Sequence, residues 1–278
     1  MPVKVAGVQM DVAFADPPQN LARMAEFLGQ ATAAGAQLIV FPECVLTGYC
    51  FDSLDEARLT AESIPGPSTQ RMVQLSREHN CYVIYGLLEA DDNRIFNALA
   101  FVGPAGLVAS YRKIHLPHLG VDRFTTPGDR PFAVHDIGFL RVGLNICYDG
   151  AFPEASRALA LQGADVIALP TNWPPGAHCA ADHMVATRAL ENSVYYMAVD
   201  RVGEERGFAF IGKSQIVDVN GATIAAAMHT DEAILYAEID PSRARNKHIV
   251  RIPKLHEIHR FKDRRPDMYG DLVKPYKE

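Results

Sequence analysis

Residues 141–157, RVGLNICYDGAFPEASR, leave the backbone few choices. Val142, Leu144 and Ile146 alternate as β-favouring apolar residues, which predicts a buried strand ending at Ile146. Cys147 follows at its end. Tyr148-Asp149-Gly150 supplies turn chemistry, and Pro153-Glu154 suits the first turn of a helix. A strand that turns sharply into a helix belongs to an α/β layered fold, and a cysteine at that turn projects its sulfur out of the sheet. A nearby helix N-terminus would favour its thiolate. A lone cysteine at such a position is more often a buried structural thiol, so the rest of the chain has to decide.

Along the chain, strand and helix patterns interleave. Alternation over 3–8 reads as a strand, and Leu21, Met24, Leu28 and Ala31 give one apolar helix face behind a cap at Asn20. Residues 37–41 form a second buried strand ending in Phe41-Pro42-Glu43, 47–67 is irregular, and a helix runs from Ser68 through Met72 and Leu75. Strands at 81–89, 97–102 and 107–112 are joined by hairpin loops. A long polar loop, 113–130, leads to the strand before Cys147. Beyond it come a helix (155–161), a strand (165–169), a longer helix (178–192), four more strands between 194 and 239, and a short helix at Pro241. With no linker or repeat, this predicts one domain over 1–278. Its hairpins favour mixed or paired sheets with helices outside. The polar stretch 251–278 is too poor in periodicity for a core of its own and is expected to cover a neighbouring surface or subunit.

Charge and cysteine usage narrow the class. With 27 Lys and Arg against 33 Asp and Glu, the net charge of −6 argues against nucleic acid as a partner. Five scattered cysteines suggest free thiols in a reducing compartment. No apolar leader and no run long enough for a bilayer is apparent, so a cytoplasmic location without membrane attachment is expected.

Three chemically complementary residues fall at strand ends: Glu43, Lys113 and Cys147. Strand ends are where α/β layers gather their loops and sites. Splitting an amide carbon–nitrogen bond needs a nucleophile, a base that returns its proton to the leaving amine, and positive charge beside the oxyanion. Cys147, Glu43 and Lys113 match those needs. Tyr49, Asn172 and the sole tryptophan, Trp173, lie in loops suited to walling a pocket. Arg188, Glu191 and Asn192 share a helix face and suggest a polar cluster behind the site. His178, Cys179, Asp182 and His183 are spaced four apart in pairs, but no further ligand pair accompanies them, so no metal is expected.

Longer motifs then point to a family. Phe41-Pro42-Glu43, Tyr111-Arg112-Lys113-Ile114-His115-Leu116-Pro117, Thr126-Pro127-Gly128-Asp129 and Cys147-Tyr148-Asp149 come in order. They are joined by Phe152-Pro153-Glu154 with Arg157, by Arg188-Ala189 with Glu191-Asn192, and by Arg264-Arg265-Pro266. Together they resemble the nitrilase superfamily of carbon–nitrogen hydrolases, amidase-like branch. The resemblance implies an α/β fold, an αββα sandwich of two mixed sheets flanked by helices, with the C-terminal tail at the subunit interface of a homodimer. It also implies a Glu43-Lys113-Cys147 triad that uses no cofactor, with the Tyr148 backbone N–H completing an oxyanion hole. Asp122 stands nearest to a second carboxylate that many members carry as glutamate. Ala151 replaces an arginine of carbamoylase-like members, and Tyr148-Asp149 replaces the Trp-Glu of nitrile-cleaving ones. The expected activity is hydrolysis of a small carboxamide through a thioester, releasing ammonia. An N-carbamoyl amidohydrolase and a non-catalytic scaffold are the alternatives.

Overall fold

The computed structural model describes residues 2–276; Met1 and the last two residues of the expected tail, Lys277 and Glu278, lie outside the described residues. The first half of the chain forms β1 (Val3–Gln9), α1 (Pro17–Ala33), β2 (Leu38–Val40), α2 (Leu54–Arg58), α3 (Pro67–His79), β3 (Tyr82–Asp91), β4 (Arg94–Gly103) and β5 (Gly106–Arg112). The second half adds β6 (Val134–Asp136), β7 (Arg141–Leu144), α4 (Pro153–Leu161), β8 (Val166–Thr171), α5 (Val185–Asn192), β9 (Tyr195–Asp200), β10 (Glu204–Glu205) and β11 (Phe208–Ala209). It closes with β12 (Ser214–Val217), β13 (Thr223–Ala227), β14 (Ala233–Ile239), α6 (Pro241–Arg245), β15 (His248–Ile252) and β16 (His256–His259).

Two six-stranded mixed sheets result, ordered β14-β1-β2-β3-β4-β5 and β13-β12-β9-β8-β7-β6. Strand parity explains how they stack. Val3, Val5, Leu38, Val40, Ile84, Leu99 and Phe101 point into one core with Val142, Leu144, Val166, Ala168 and Tyr196 of the other sheet. Their neighbours Ala6, Val8, Ile39, Val83 and Tyr85 point the opposite way, against Met24 and Leu28 of α1 and Met72 and Leu75 of α3. Helices α4 and α5 cover the outer face of the second sheet through Leu159, Val185 and Ala189. Each Val, Leu, Ile, Phe or Met side chain so buried contributes about 1.5–3 kcal/mol. The layer order is helix, sheet, sheet, helix, as the αββα reading requires. At Gly7 an added Cβ would stand 3.0 Å from Val199 of the other sheet, so a close approach of the two sheets uses a position without a side chain.

Some details differ from the sequence reading. The strand before the cysteine ends at Leu144, and Cys147–Ala151 winds as a 3-10 turn before α4. The loop 47–67 contains α2, capped by the Ser53 hydroxyl on the Glu56 N–H. The expected featureless tail begins instead as a β15–β16 hairpin, because the β-branched run before Pro253 pairs with 256–259. No helix among the described residues is long and apolar enough to cross a membrane.

Strands β1, β2 and β3 run parallel to one another, as do β7, β8 and β9. Glu43, Cys147, Asn172 and Asp200 therefore all lie at or just past carboxyl ends, with Lys113 directly after β5. At Gly86 in β3, an added Cβ would come within 2.2 Å of the Cys44 N and 2.7 Å of the Glu43 Cα. Gly86→Ala should push the Glu43 turn off the sheet and cost about 2 kcal/mol or more. Urea unfolding checks this, the expected result being a lower midpoint with an unchanged slope.

Candidate active site

Glu43, Lys113 and Asp122 meet in a fully enclosed cluster. The Lys113 Nζ lies 2.7 Å from Glu43 Oε1 and 2.5 Å from Asp122 Oδ2, with no side-chain exposure on any of the three. Asn97 Nδ2 donates to the same two acids, at 2.7 Å to Glu43 Oε1 and 2.9 Å to Asp122 Oδ1. The Tyr49 hydroxyl adds a bond of 2.8 Å to Asp122 Oδ2. Burial alone opposes the Lys113 charge, yet the Asp122 and Glu43 carboxylates outweigh it and hold the ammonium's pKa well above the lysine range. Burial likewise pushes Glu43 above its ordinary 4.5, with Lys113 pulling down and Asp122 pushing up.

Cys147 sits across from them, 9% exposed, with backbone φ of 41°. A positive φ on a non-glycine residue is strained and fits a sharply turned, site-bearing position. Its thiol faces Thr171 and the backbone of Asn172, and burial followed by the Glu43 charge raises its pKa. The helix-terminus stabilisation expected from sequence does not prevail. Helix α4 starts only at Pro153, and desolvation favours the neutral thiol.

The quoted motifs explain how these groups are held. Arg112, next to Lys113, grips Glu89 through Nε and Nη2, both at 2.8 Å, and Asp129 through Nη1 at 3.1 Å. The Gly128 N–H donates to the Lys113 carbonyl at 2.8 Å. Asp149, fully buried, accepts from Tyr111 Oη at 2.7 Å, His115 N at 3.1 Å and Ile146 N at 3.0 Å, and pairs with His115 Nδ1 at 2.7 Å. One carboxyl thus joins the segment flanking Lys113 to the residue before Cys147. Arg188 donates to the carbonyls of Gly150 (2.9 Å) and Ala151 (3.2 Å), closing the turn from behind, and pairs with Glu191. Glu205, ion-paired with buried Arg201, accepts from the N–H of Tyr49 and of Cys50, both at 2.9 Å.

The loop residues divide. Tyr49 reaches the cluster through its hydroxyl. Trp173 is buried in the main core, so its ring is more a part of the packing than an open wall, and its backbone N–H donates to Asp200 Oδ1 at 2.8 Å. The Tyr148 side chain is exposed and meets Phe152 edge-on. Asn172 is buried with both amide atoms unpartnered, as are Glu43 Oε2 and Asp200 Oδ2. Burial pushes the Asp200 pKa well up. Asp182, one of the four spaced residues 178–183, pairs with Lys213 at 2.6 Å, and no metal-type cluster of three ligands occurs among the described residues. Asn97, Glu205 and Asp200 were missed from sequence. Asn97 left a faint signal, a lone amide on a buried apolar strand.

Two packed mixed sheets with a buried acid, ammonium and thiol at their carboxyl ends define a nitrilase-type carbon–nitrogen hydrolase. A family model described as carbon-nitrogen hydrolase matches residues 4–248, and the chain belongs to that family. It is 42% identical over 268 residues to a nitrilase of Pyrococcus abyssi, covering 96% of this chain and 99% of that one. It is 32% identical to the omega-amidase NIT2 of Homo sapiens, covering 92% and 93%. Among solved structures, Nit3 of Saccharomyces cerevisiae superposes with a TM-score of 0.78 at 28% identity, over 87% of this chain and 92% of that one. An amidase from Nesterenkonia sp. shares the fold, with a TM-score of 0.75 at 22% identity over 88% and 92%.

Asp149→Ala leaves the Ile146 and His115 N–H groups and the Tyr111 hydroxyl without their common acceptor. A loss of about 3 kcal/mol is expected, as for breaking a buried charged network. Equilibrium denaturation should show it; a loss below about 1 kcal/mol would mean that the clamp is dispensable.

Proposed function

We propose that the enzyme hydrolyses a small carboxamide through a thioester on Cys147, releasing ammonia and a carboxylic acid. The observation that carries this reading is the pairing of a neutral buried thiol with a nearby carboxyl whose second oxygen, Glu43 Oε2, is free. Such a thiol needs a base. In the proposed cycle Glu43 takes the thiol proton as sulfur attacks the carbonyl carbon. Lys113 spends two N–H groups on its carboxylates, which leaves a third for the oxyanion, and the Tyr148 backbone N–H is the second donor. Glu43 then gives its proton to the departing nitrogen, and the carbon–nitrogen bond breaks. A water, losing its proton to Glu43, attacks the thioester, and the proton returns to sulfur as the acid leaves. Asp122 keeps Lys113 charged. Tyr49, Asn172 and the Trp173 loop bound the substrate.

The five free cysteines fit a reducing cytoplasm. Exposed apolar residues on the tail, among them Leu255 at 84% and Val273 at 88%, with Leu161 and Leu190 on α4 and α5, support a homodimer joined through that face.

Cys147→Ala should fold and release no ammonia from a panel of aliphatic, ω-carboxylated and ureido amides. Lys113→Ala should lower kcat by roughly a hundredfold or more. Turnover of the panel by Cys147→Ala at the parental rate would sink the mechanism. The pH profile has a definite sign. Protonated Glu43 cannot accept a proton, so kcat/KM should fall with decreasing pH around a midpoint above 4.5, because burial raises this group. A midpoint at or below 4.5 would remove Glu43 from the base role.

A further inference from the structure

Glu43 has two carboxyl oxygens in very different surroundings. Oε1 receives Lys113 Nζ and Asn97 Nδ2, each at 2.7 Å. Oε2 is buried and has no partner. An oxygen already accepting two hydrogen bonds, one from a cation, is the poorer base, so a proton arriving at this carboxyl goes to Oε2. Lys113 alone does not fix this division, because an ammonium is a rotating point donor that either oxygen could meet. An amide is directional. Asn97 is 1% exposed, and its Oδ1 accepts from the Cys44 thiol at 3.5 Å. Its backbone carbonyl accepts from the Lys113 N–H at 2.8 Å. The amide nitrogen is thereby turned toward the two acids, giving one N–H to Glu43 and one to Asp122.

We infer that Asn97 is a positioning residue that locks Glu43 Oε1 and so assigns Oε2 as the atom that takes the Cys147 proton. It touches no reacting atom in this scheme; it acts through Glu43. The inference rests on the proposed roles of Glu43 as base and Cys147 as nucleophile. A hydrogen bond to the charged form of an acid lowers its proton affinity, so losing Asn97 should raise that of Glu43. The other groups facing Glu43 stay in place. Lys113 pulls its pKa down and Asp122 pushes it up; Asp200, Cys147, Tyr49 and Cys44, all shifted upward by burial, favour their neutral forms.

The test needs no substrate. The rate of Cys147 alkylation by iodoacetamide, read by peptide mass spectrometry from pH 4 to 9, is compared for the parent, Asn97→Leu, Asn97→Ser and Glu43→Gln, alongside each Tm. Both Asn97 variants should move the acid midpoint of alkylation up by roughly one pH unit or more, the scale of one hydrogen bond to a charged group. Asn97→Ser, which leaves space and adds no apolar bulk, provides the reading if the leucine variant fails to fold. A lower Tm with an unmoved midpoint would make Asn97 structural only and overturn the inference. A Glu43→Gln variant alkylated as fast as the parent at every pH would overturn the base assignment together with it, whereas a shifted midpoint in an enzyme inert toward amides would overturn the substrate reading alone.

Discussion

Everything at the active end of this fold follows from one buried ammonium. Lys113 and its carboxylate partners are wholly withdrawn from water, which is tolerable only with near-complete pairing. Two carboxylates face a single cation. The cluster therefore carries an excess negative charge, and a thiolate beside it would add another. That arithmetic keeps the resting thiol protonated and supports the proposed role of Glu43 as its base.

Holding that cluster takes buried polar clamps, each attached at a site group or within two residues of one. Arg112 precedes Lys113, Asp149 follows Cys147 by two, and Glu205 binds the backbone of Tyr49 itself. Lone surface ion pairs would be too weak and too mobile for this task. Burial makes each clamp stiff, because breaking one strands a desolvated charge. A spread of motifs along the sequence thus reduces to one requirement, that three chain segments cross at fixed separation.

Much of this was legible in the sequence. Strand parity, helix faces and the placement of Glu43, Lys113 and Cys147 at strand ends are local patterns, and local patterns survive folding. Asn97, Glu205 and the reach of Asp149 to Tyr111 were not legible, because each depends on pairings 38 to 156 residues apart. The thiolate expectation failed on competition between two effects, with desolvation exceeding a helix dipole that begins six residues later. Asp122 is one methylene shorter than a glutamate, yet it reaches Lys113. Gly120 explains how. At φ 48° it lies so close to the Tyr49 ring that a Cβ would stand 2.2 Å from Cε1, and this lets the 3-10 turn Gly120–Arg123 press inward.

The remaining unsatisfied atoms bear on what the site is built to receive. Glu43 Oε2 is an acceptor without a donor, and Asn172 offers both an acceptor and a donor without partners. Native interiors seldom leave such groups unpaired, at a cost of about 1–3 kcal/mol each. Backbone strain at Cys147 and Cys44, with φ of 41° and 48°, adds to that cost. A ligand that relieves it must bring donors as well as an acceptor. A carboxamide brings two N–H groups and a carbonyl oxygen. A nitrile brings a lone acceptor and would leave Glu43 Oε2 and the Asn172 carbonyl as unpaired as before. These unpartnered donor and acceptor atoms therefore support the proposed carboxamide substrate over a nitrile.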